Sequence, residues 1–458
     1  MTSVTLPPSD GGIRKDLPVD RGRAWFVLVG VHVSHMLSFG FLTSFGILYI
    51  EWKEYFQTDA TTTSWLISLP LLVASPMSFF VGILSSLVGI RVLAMTGAAV
   101  CGIATFVGSF TTGVRQLFVC TAMNGVGSAV VLSLGSIVLS HYFKRRYSLA
   151  TGVAIVGISI GQMIFPVIIR FLITLYGWRG AMFLIGALQM NGVAACALFR
   201  PLKANMDINQ PHQETLGNSI SMLRRRREST DDEIEMENSC PDESRLNRWR
   251  RCAGFLKVFT NVLAMLNLLT LTFFAMSAMI NISHLPARTK EAGWSDDRSA
   301  MILLVYAVAS AFTRLTYGWF VDRGYIGSFK LQLATQFGAA VATFLNPVSD
   351  SFAFLVVNAL LLGAFLGITA PLFLVNMRQL VDVSELPSAL SLIWATGLFF
   401  NGVGTVIAGK IYDATGNYVA PFLTGGAIFL VSFMLLVTMT ILKTRGNKRC
   451  QHPQTVAG

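Results

Sequence analysis

Charge is what this sequence has least of. Only 13% of its 458 residues are Asp, Glu, Lys or Arg, where a soluble chain of this length carries about a quarter. That scarcity excludes an ordinary soluble enzyme, a coiled coil and a disordered protein. Cysteine is scarce as well, at six residues. Cys101, Cys120 and Cys196 lie in apolar segments, and Cys240, Cys252 and Cys450 lie in charged stretches. No pair falls in a short outer loop, so no disulfide is expected. Metal-ligand spacings, a P-loop and a nucleophile elbow are missing. Gly125-x-Gly127 sits inside an apolar run and reads as packing, not phosphate binding. Neither a metal nor a cofactor is therefore expected. The first 23 residues lack an apolar run and contain Pro7, Pro8, Gly11 and Gly12. A secretory signal would have its apolar core there. Here the first apolar run continues into a full-length span, which reads as a retained first helix.

What the chain has instead is apolar length. It is 53% hydrophobic, with 40 Gly and 33 Phe, and its mean hydropathy is +0.59. A membrane span needs about 20 apolar residues. Twelve such segments can be marked, roughly 24–50, 62–87, 92–112, 116–140, 148–172, 180–199, 254–283, 299–320, 329–347, 352–377, 388–410 and 419–442. They are continuous runs, not the ten-residue alternation of a barrel, so they predict helices. The expected fold is an all-α membrane protein of twelve transmembrane helices in two six-helix halves. The halves cover 24–199 and 253–442. Between them, 200–252 carries Arg224 to Arg227 and then an acidic run, without apolar periodicity, and reads as a disordered linker. Its end, 247–257, has the pattern of a short basic helix on the inner leaflet. Residues 1–23 and 443–458 form tails.

The formal charge is +11, but its placement argues against nucleic acid. With the N-terminus inside, 26 of the 35 basic residues fall in the tails, the linker and the loops on that side. Seven fall on the other side or at helix edges, and Arg170 and Arg314 lie within spans. Both termini are therefore expected in the cytoplasm, facing anionic lipid.

Two loops carry recognisable motifs. The sequence Gly318-Trp-Phe-Val-Asp322-Arg323-Gly324 follows the eighth segment. A weaker copy, Gly82 to Gly89-Ile-Arg91, follows the second. The glycine–acid–base pattern resembles the loop motif of the major facilitator superfamily, and the acid could sit at a helix end and pair with arginine. The second motif is more specific. Tyr142-Phe143-Lys144-Arg145-Arg146-Tyr147-Ser148-Leu149-Ala150-x-Gly152-x-Ala154, then Gly157-x-x-x-Gly161, resembles the signature of the monocarboxylate transporter family. Asp20-Arg-Gly22-Arg-Ala-Trp25 keeps part of that family's N-terminal signature. The resemblance implies the twelve-helix fold, carriage of small carboxylates, a plasma-membrane location, and an ancillary subunit of the single-span immunoglobulin type. On physical grounds Gly152, Gly157 and Gly161 allow close helix approach. Lys144, Arg145 and Arg146 would hold the loop to lipid phosphates or to acids of another loop.

An ionisable residue inside a span is a candidate for function. Arg314 shares a helical stripe with Tyr306, Ser310, Thr313 and Tyr317. A guanidinium holds a carboxylate with two parallel hydrogen bonds. The resemblance ties an arginine at this place to substrate, and the alternative is snorkelling to the membrane surface. His32, His35, Phe39 and Thr43 fall on one face of the first segment, where either histidine could bind substrate, titrate, or simply pack. In proton-coupled relatives the resemblance places a lysine near Thr43 and an aspartate at Ser310, and both are replaced here. Thr270, Ser277, Asn281 and His284 share a face of the seventh segment that reads as a cavity wall. Asn124 and Trp394 are further candidates, with interhelical bonding as the alternative.

The resulting expectation is a transporter of small carboxylates or zwitterions, facilitative and with weak or no proton coupling. A proton-coupled symporter and a non-transporting sensor with the same fold are the competing readings. The partners expected are the metabolite and membrane lipid, with no nucleic acid. An enzyme would need a catalytic constellation, and the sequence has none.

Overall fold

A computed structural model describes residues 20–58, 60–200 and 257–451. The expected N-tail up to residue 19, the linker with its basic end, and the last residues of the C-tail lie outside the described residues.

The described residues contain twelve long helices. They are α1 (Arg23–His35, continued by Met36–Gly40 and Phe45–Phe56), α2 (Ala60–Val88), α3 (Ile90–Gly108) and α4 (Val114–Tyr142). Next come α5 and α6, the parts 147–176 and 178–196 of one continuous stretch that breaks at Gly177 (φ 68°, ψ 175°). The second half contains α7 (Val262–Glu291), α8 (Asp296–Asp322), α9 (Ser328–Leu345), α10 (Phe352–Arg378), α11 (Leu386–Thr415) and α12 (Val419–Gln451). The last helix thus continues beyond residue 442. Pro70, Pro76, Pro166, Pro286 and Pro371 lie inside helices, as membrane helices tolerate when neighbours resatisfy the freed backbone.

Ten stretches are long and apolar enough to cross a membrane, the α5–α6 stretch counting once. The remaining helix, α9, owes its lower hydropathy to the exposed Lys330 near its start and to Gln332, Thr335 and Gln336 within it. Gln332, Thr335 and Gln336 are buried and bonded to neighbours. The Gln332 carbonyl accepts from Asn376 Nδ2 at 2.5 Å, Thr335 and Thr369 hydroxyls meet at 2.8 Å, and Gln336 donates to Ser432. Polar side chains here join α9 to α10 and α12 without contacting lipid.

Packing repeats between the halves. In the first, α2 packs on α4, α3 on α4, and the α5–α6 stretch on α1 and α3. In the second, α8 packs on α10, α9 on α10 and α12, and α7 on α11 and α12. Adding six to each helix number carries one set into the other. The same rule relates the two main contacts between halves, α2 with α11 and α8 with α5. Two internal copies related by an axis along the membrane normal give this pattern. Residues 20, 200 and 257 lie at one end of the bundle, called here the linker end; the other is the far end.

Glycine sets the closest approaches. A Cβ on Gly157 would lie 2.2 Å from the His32 carbonyl oxygen, and one on Gly152 would lie 2.2 Å from that of Arg314. Gly161 meets Gly40 and Met36. These glycines bring α5 against α1 and α8. Gly157→Val should therefore force the helices apart and destabilise the protein by about 1–3 kcal/mol. The check is the thermal midpoint of the purified protein. Gly46→Ala and Gly397→Ala meet nothing within 4 Å and should leave it unchanged.

Candidate substrate site between the halves

The linker-end closure is built on the N-terminus of α5, whose first N–H groups have no partner within the helix. Asp20 accepts from the backbone N–H of Lys144, Arg145 and Arg146, at 3.3, 3.0 and 3.1 Å. Asp322, from the other half, accepts from Ser148 at 3.0 Å and Leu149 at 2.8 Å. A carboxylate at a helix N-terminus is favoured by both the hydrogen bonds and the helix dipole. The expected pairing of Asp322 with arginine is not formed. Asp322 is spent on peptide N–H groups, and Arg323 lies over the Trp319 ring at 4.5 Å. The basic cluster likewise engages Asp20 through its backbone, while the Arg146 guanidinium lies 5.9 Å from the centre of the Trp25 ring.

Gly22 (φ 49°) turns the chain into α1. Trp25 then meets Phe143 edge-on, ring centroids 5.6 Å apart. The partial N-terminal signature and the α4–α5 signature are thus one assembly. Three further contacts join the halves at this end. Tyr317 donates its hydroxyl to the Ser148 carbonyl at 2.9 Å, and Arg378 donates to the Phe143 carbonyl at 2.5 Å. Gly318 lies against Leu149, where any Cβ would fall 2.4 Å from the backbone. On the other seam, a Cβ at Gly82 would lie 3.0 Å from the Ser388 Cα.

Deeper in the bundle, two groups cross between the halves. The half-buried Arg314 donates from a terminal guanidinium nitrogen to the Ser159 hydroxyl on α5. Its Nε is buried without a hydrogen-bond partner. Among the described residues, no carboxylate lies within ion-pair reach of it. Arg288 contrasts with it, since that arginine has Asp350 at 2.5 Å. A guanidinium inside the bundle with a spare donor and no resting counter-ion can accept a small anion.

The second crossing group is Trp394. Its indole N–H donates to the Ser136 hydroxyl on α4 at 2.8 Å. The His35 ring stands edge-on to it, centroids 6.2 Å apart. His35 is wholly buried, and neither ring nitrogen makes a hydrogen bond. A Cβ at Gly135 would fall 2.5 Å from Nε2, so α4 leaves room for the imidazole only because it has glycine there. Ser75 adds a hydrogen bond to the Ala395 carbonyl at 2.9 Å.

Other expected site residues are placed differently. The single stripe of His32, His35, Phe39 and Thr43 does not form. Met36–Gly40 is a π-helical turn, and the chain turns again at Thr43 and Ser44 before resuming as a helix. One extra residue per turn rotates every later side chain about the helix axis. His32 bonds the Val153 carbonyl at 2.7 Å, His35 faces Trp394, and Thr43 is exposed. Ser310 and Thr313 pack against α10, where Gly367 receives the Ser310 backbone. Only Arg314 and Tyr317 of that stripe bond across to α5.

The expected cavity wall on α7 is a helix–helix contact instead. Ser277 donates to the Gly425 carbonyl at 2.6 Å, and Asn281 lies beside Gly425 on α12. His284 packs on Tyr418, centroids 5.6 Å apart. Asn124 is turned into the first half, donating to Thr105 at 2.9 Å. Thr105 donates to Gln189, which donates to the Leu37 carbonyl. That chain of polar groups ties α4, α3, α6 and α1 together. A lone polar residue reads alike in sequence whether it faces a neighbour or a cavity. Sequence reasoning missed Ser159, Ser136 and Arg378. Ser159 lies inside the Gly157-x-x-x-Gly161 run, where a serine between glycines carries no signal of its own.

Comparisons with known proteins agree with this architecture. The Major Facilitator Superfamily profile matches residues 31–345 and 266–456. Rat monocarboxylate transporter 13 is 27% identical over 432 residues, 93% of this chain and 91% of that protein. Human monocarboxylate transporter 14 is 24% identical, over 95% of this chain and 94% of its own. Among solved structures, a proton:xylose symporter superposes with a TM-score of 0.71 at 13% identity, covering 91% of this chain and 95% of its own. The human organic anion transporter does so with a TM-score of 0.65 at 15% identity, covering 91% and 100%. The chain belongs to the Major Facilitator Superfamily, and its similarity to monocarboxylate transporters runs along more than nine-tenths of its length.

Proposed function

We propose that this transporter carries small monocarboxylates or related carboxylate-bearing metabolites across the plasma membrane by alternating access. Its mode is facilitated diffusion with little or no proton coupling. The observation that carries the reading is Arg314, set between the halves, bonded to Ser159 and without an acid among the described residues. A substrate carboxylate fills the vacant donors. The names of the relatives support the same substrate class.

In this reading the linker end is cytoplasmic, which the distribution of basic residues supports. The closed seam there leaves the substrate to enter from the far end. Release then requires Asp322, Tyr317 and Arg378 to leave the α4–α5 loop, with the peptide N–H groups passing to water. The halves rock about the midplane contacts while each stays rigid inside.

Uptake of a panel of radiolabelled monocarboxylates and amino acids into expressing cells tests the substrate class. The expected result is saturable uptake of carboxylates that a second carboxylate competes for. Carriage of uncharged sugars alone would overturn it. Orientation is tested separately with an epitope at residue 225. The tag should be reached by antibody only in permeabilised cells, and labelling of intact cells would reverse the assignment.

A further inference from the structure

The connection between α8 and α9 differs from its counterpart in the first half. Gly89 alone joins α2 to α3, whereas residues 323–327 separate Asp322 from Ser328. At that longer loop lies a cavity of about 620 Å³ at the linker end, away from the seam between the halves. Its walls are the end of α8, the loop that follows it, the first turn of α9, Gln379 just beyond α10, and Thr440, Lys443 and Thr444 of α12.

The chemistry of the walls is one-sided. Lys330 and Lys443 line the cavity and no carboxylate does. The nearest acid in sequence, Asp322, is committed to Ser148 and Leu149. Lys443 holds its ammonium 3.7 Å from the centre of the Phe329 ring and 3.4 Å from Gln379 Oε1. Neither partner neutralises it. The N-terminus of α9 opens on the same space without a side-chain cap, leaving N–H groups and the positive end of a dipole. Val321, Ile326 and Phe329 make the remaining wall apolar. The cavity lies beside the first turn of α9 and near Arg445, where the apolar stretch of α12 ends.

We propose that this cavity binds the phosphate of an anionic phospholipid or of a soluble phosphate ester, held by Lys330, Lys443 and the first N–H groups of α9. Basic pockets between helix ends select phosphate headgroups, and a helix N-terminus adds directed donors. The apolar wall accommodates glycerol and the start of an acyl chain. A transported monocarboxylate has no such part, and the site lies off its path.

The test uses the full chain, purified and placed in phosphatidylcholine nanodiscs containing a minor share of phosphatidylglycerol. Retained lipids are counted by native mass spectrometry. Wild type should retain phosphatidylglycerol preferentially. K330Q/K443Q should lose about 25-fold of that preference, at about fivefold per lysine. K53Q/K410Q makes the same charge change at the far end and should leave the preference intact. T440F fills the cavity while keeping both lysines, and should lower the preference as well. That variant keeps the proposal testable if the lysine pair fails to fold. Displacement of the retained lipid by soluble glycerol phosphate would assign the site to the phosphate group alone, and persistence would assign it to the lipid. Equal retention of the two lipids by wild type would overturn the proposal. So would an unchanged preference in both K330Q/K443Q and T440F.

Discussion

Replacing Arg314 with alanine should abolish carboxylate uptake while leaving the transporter at the cell surface. A hydrogen bond to a charged partner contributes about 1.5–3 kcal/mol net. A fork that grips a carboxylate makes two of them, so roughly 3–6 kcal/mol is at stake, or about two to four decades in transport efficiency. Arg314→Lys should recover little, because an ammonium supplies the charge without the planar pair of donors. Ser159→Ala keeps the guanidinium but removes the hydroxyl that aims it. It should raise KM several-fold and spare the maximal rate. Initial uptake rates, normalised to surface protein, check all three. Unaltered transport by Arg314→Ala would mean that the guanidinium serves only the α5–α8 contact.

An imposed proton gradient should not drive accumulation. Symport requires a group that exchanges a proton during the cycle and communicates with the substrate. The positions that the monocarboxylate transporter resemblance ties to coupling hold Thr43 and Ser310, whose hydroxyls do not titrate at physiological pH. Ser310 moreover lies in the α8–α10 contact. His284 packs on Tyr418 at the far end of the second half, and His32 is bonded to Val153. His141 lies near the positively charged Arg378 of the linker-end seam, and His35 stands against Trp394 of the other half at the deeper crossing. One-to-one coupling would concentrate substrate about tenfold per pH unit. With external pH fixed and internal pH varied, uptake should instead level off at the equilibrium ratio whatever the gradient. A protonophore should change nothing. Accumulation that collapses with a protonophore would overturn facilitated diffusion, and would direct attention to His35 beside Trp394.

The twelve helices were legible because each is a long apolar run, and the break at Gly177 appeared as the polar stretch Tyr176-Gly177-Trp178-Arg179 between two runs. α9 was readable despite the buried Gln332, Thr335 and Gln336 because its length and flanking loops fit the series. Side-chain direction was less legible. The face assigned to α1 assumed a regular helix, and nothing in Met36-Leu-Ser-Phe-Gly40 announces a π turn. The face assigned to α7 was correct in spacing but differs in what it meets, since Ser277 bonds to Gly425 of α12 and Asn281 lies beside that glycine. Arg314 was legible because charge inside a span needs a reason. Its partner Ser159 was not, because a serine among glycines gives no signal until the two helices are brought together.

The irregularity in α1 has a mechanical consequence. A straight helix transmits a push along its whole length. This one is two stiff rods, Arg23–His35 and Phe45–Phe56, with a π turn and a bend between them. The near rod is clamped by the contact of its His32 carbonyl with Gly157 and the His32 bond to Val153. The far rod is held by different neighbours: Phe45, Leu48 and Trp52 are buried with Leu117, Phe165 and Trp178, whereas Val27, Leu28 and Val31 of the near rod belong to the main core. The irregular turn thus lets one helix be built into two cores that ask for different faces of it, and a void opened in one core is not passed along a single straight rod to the other.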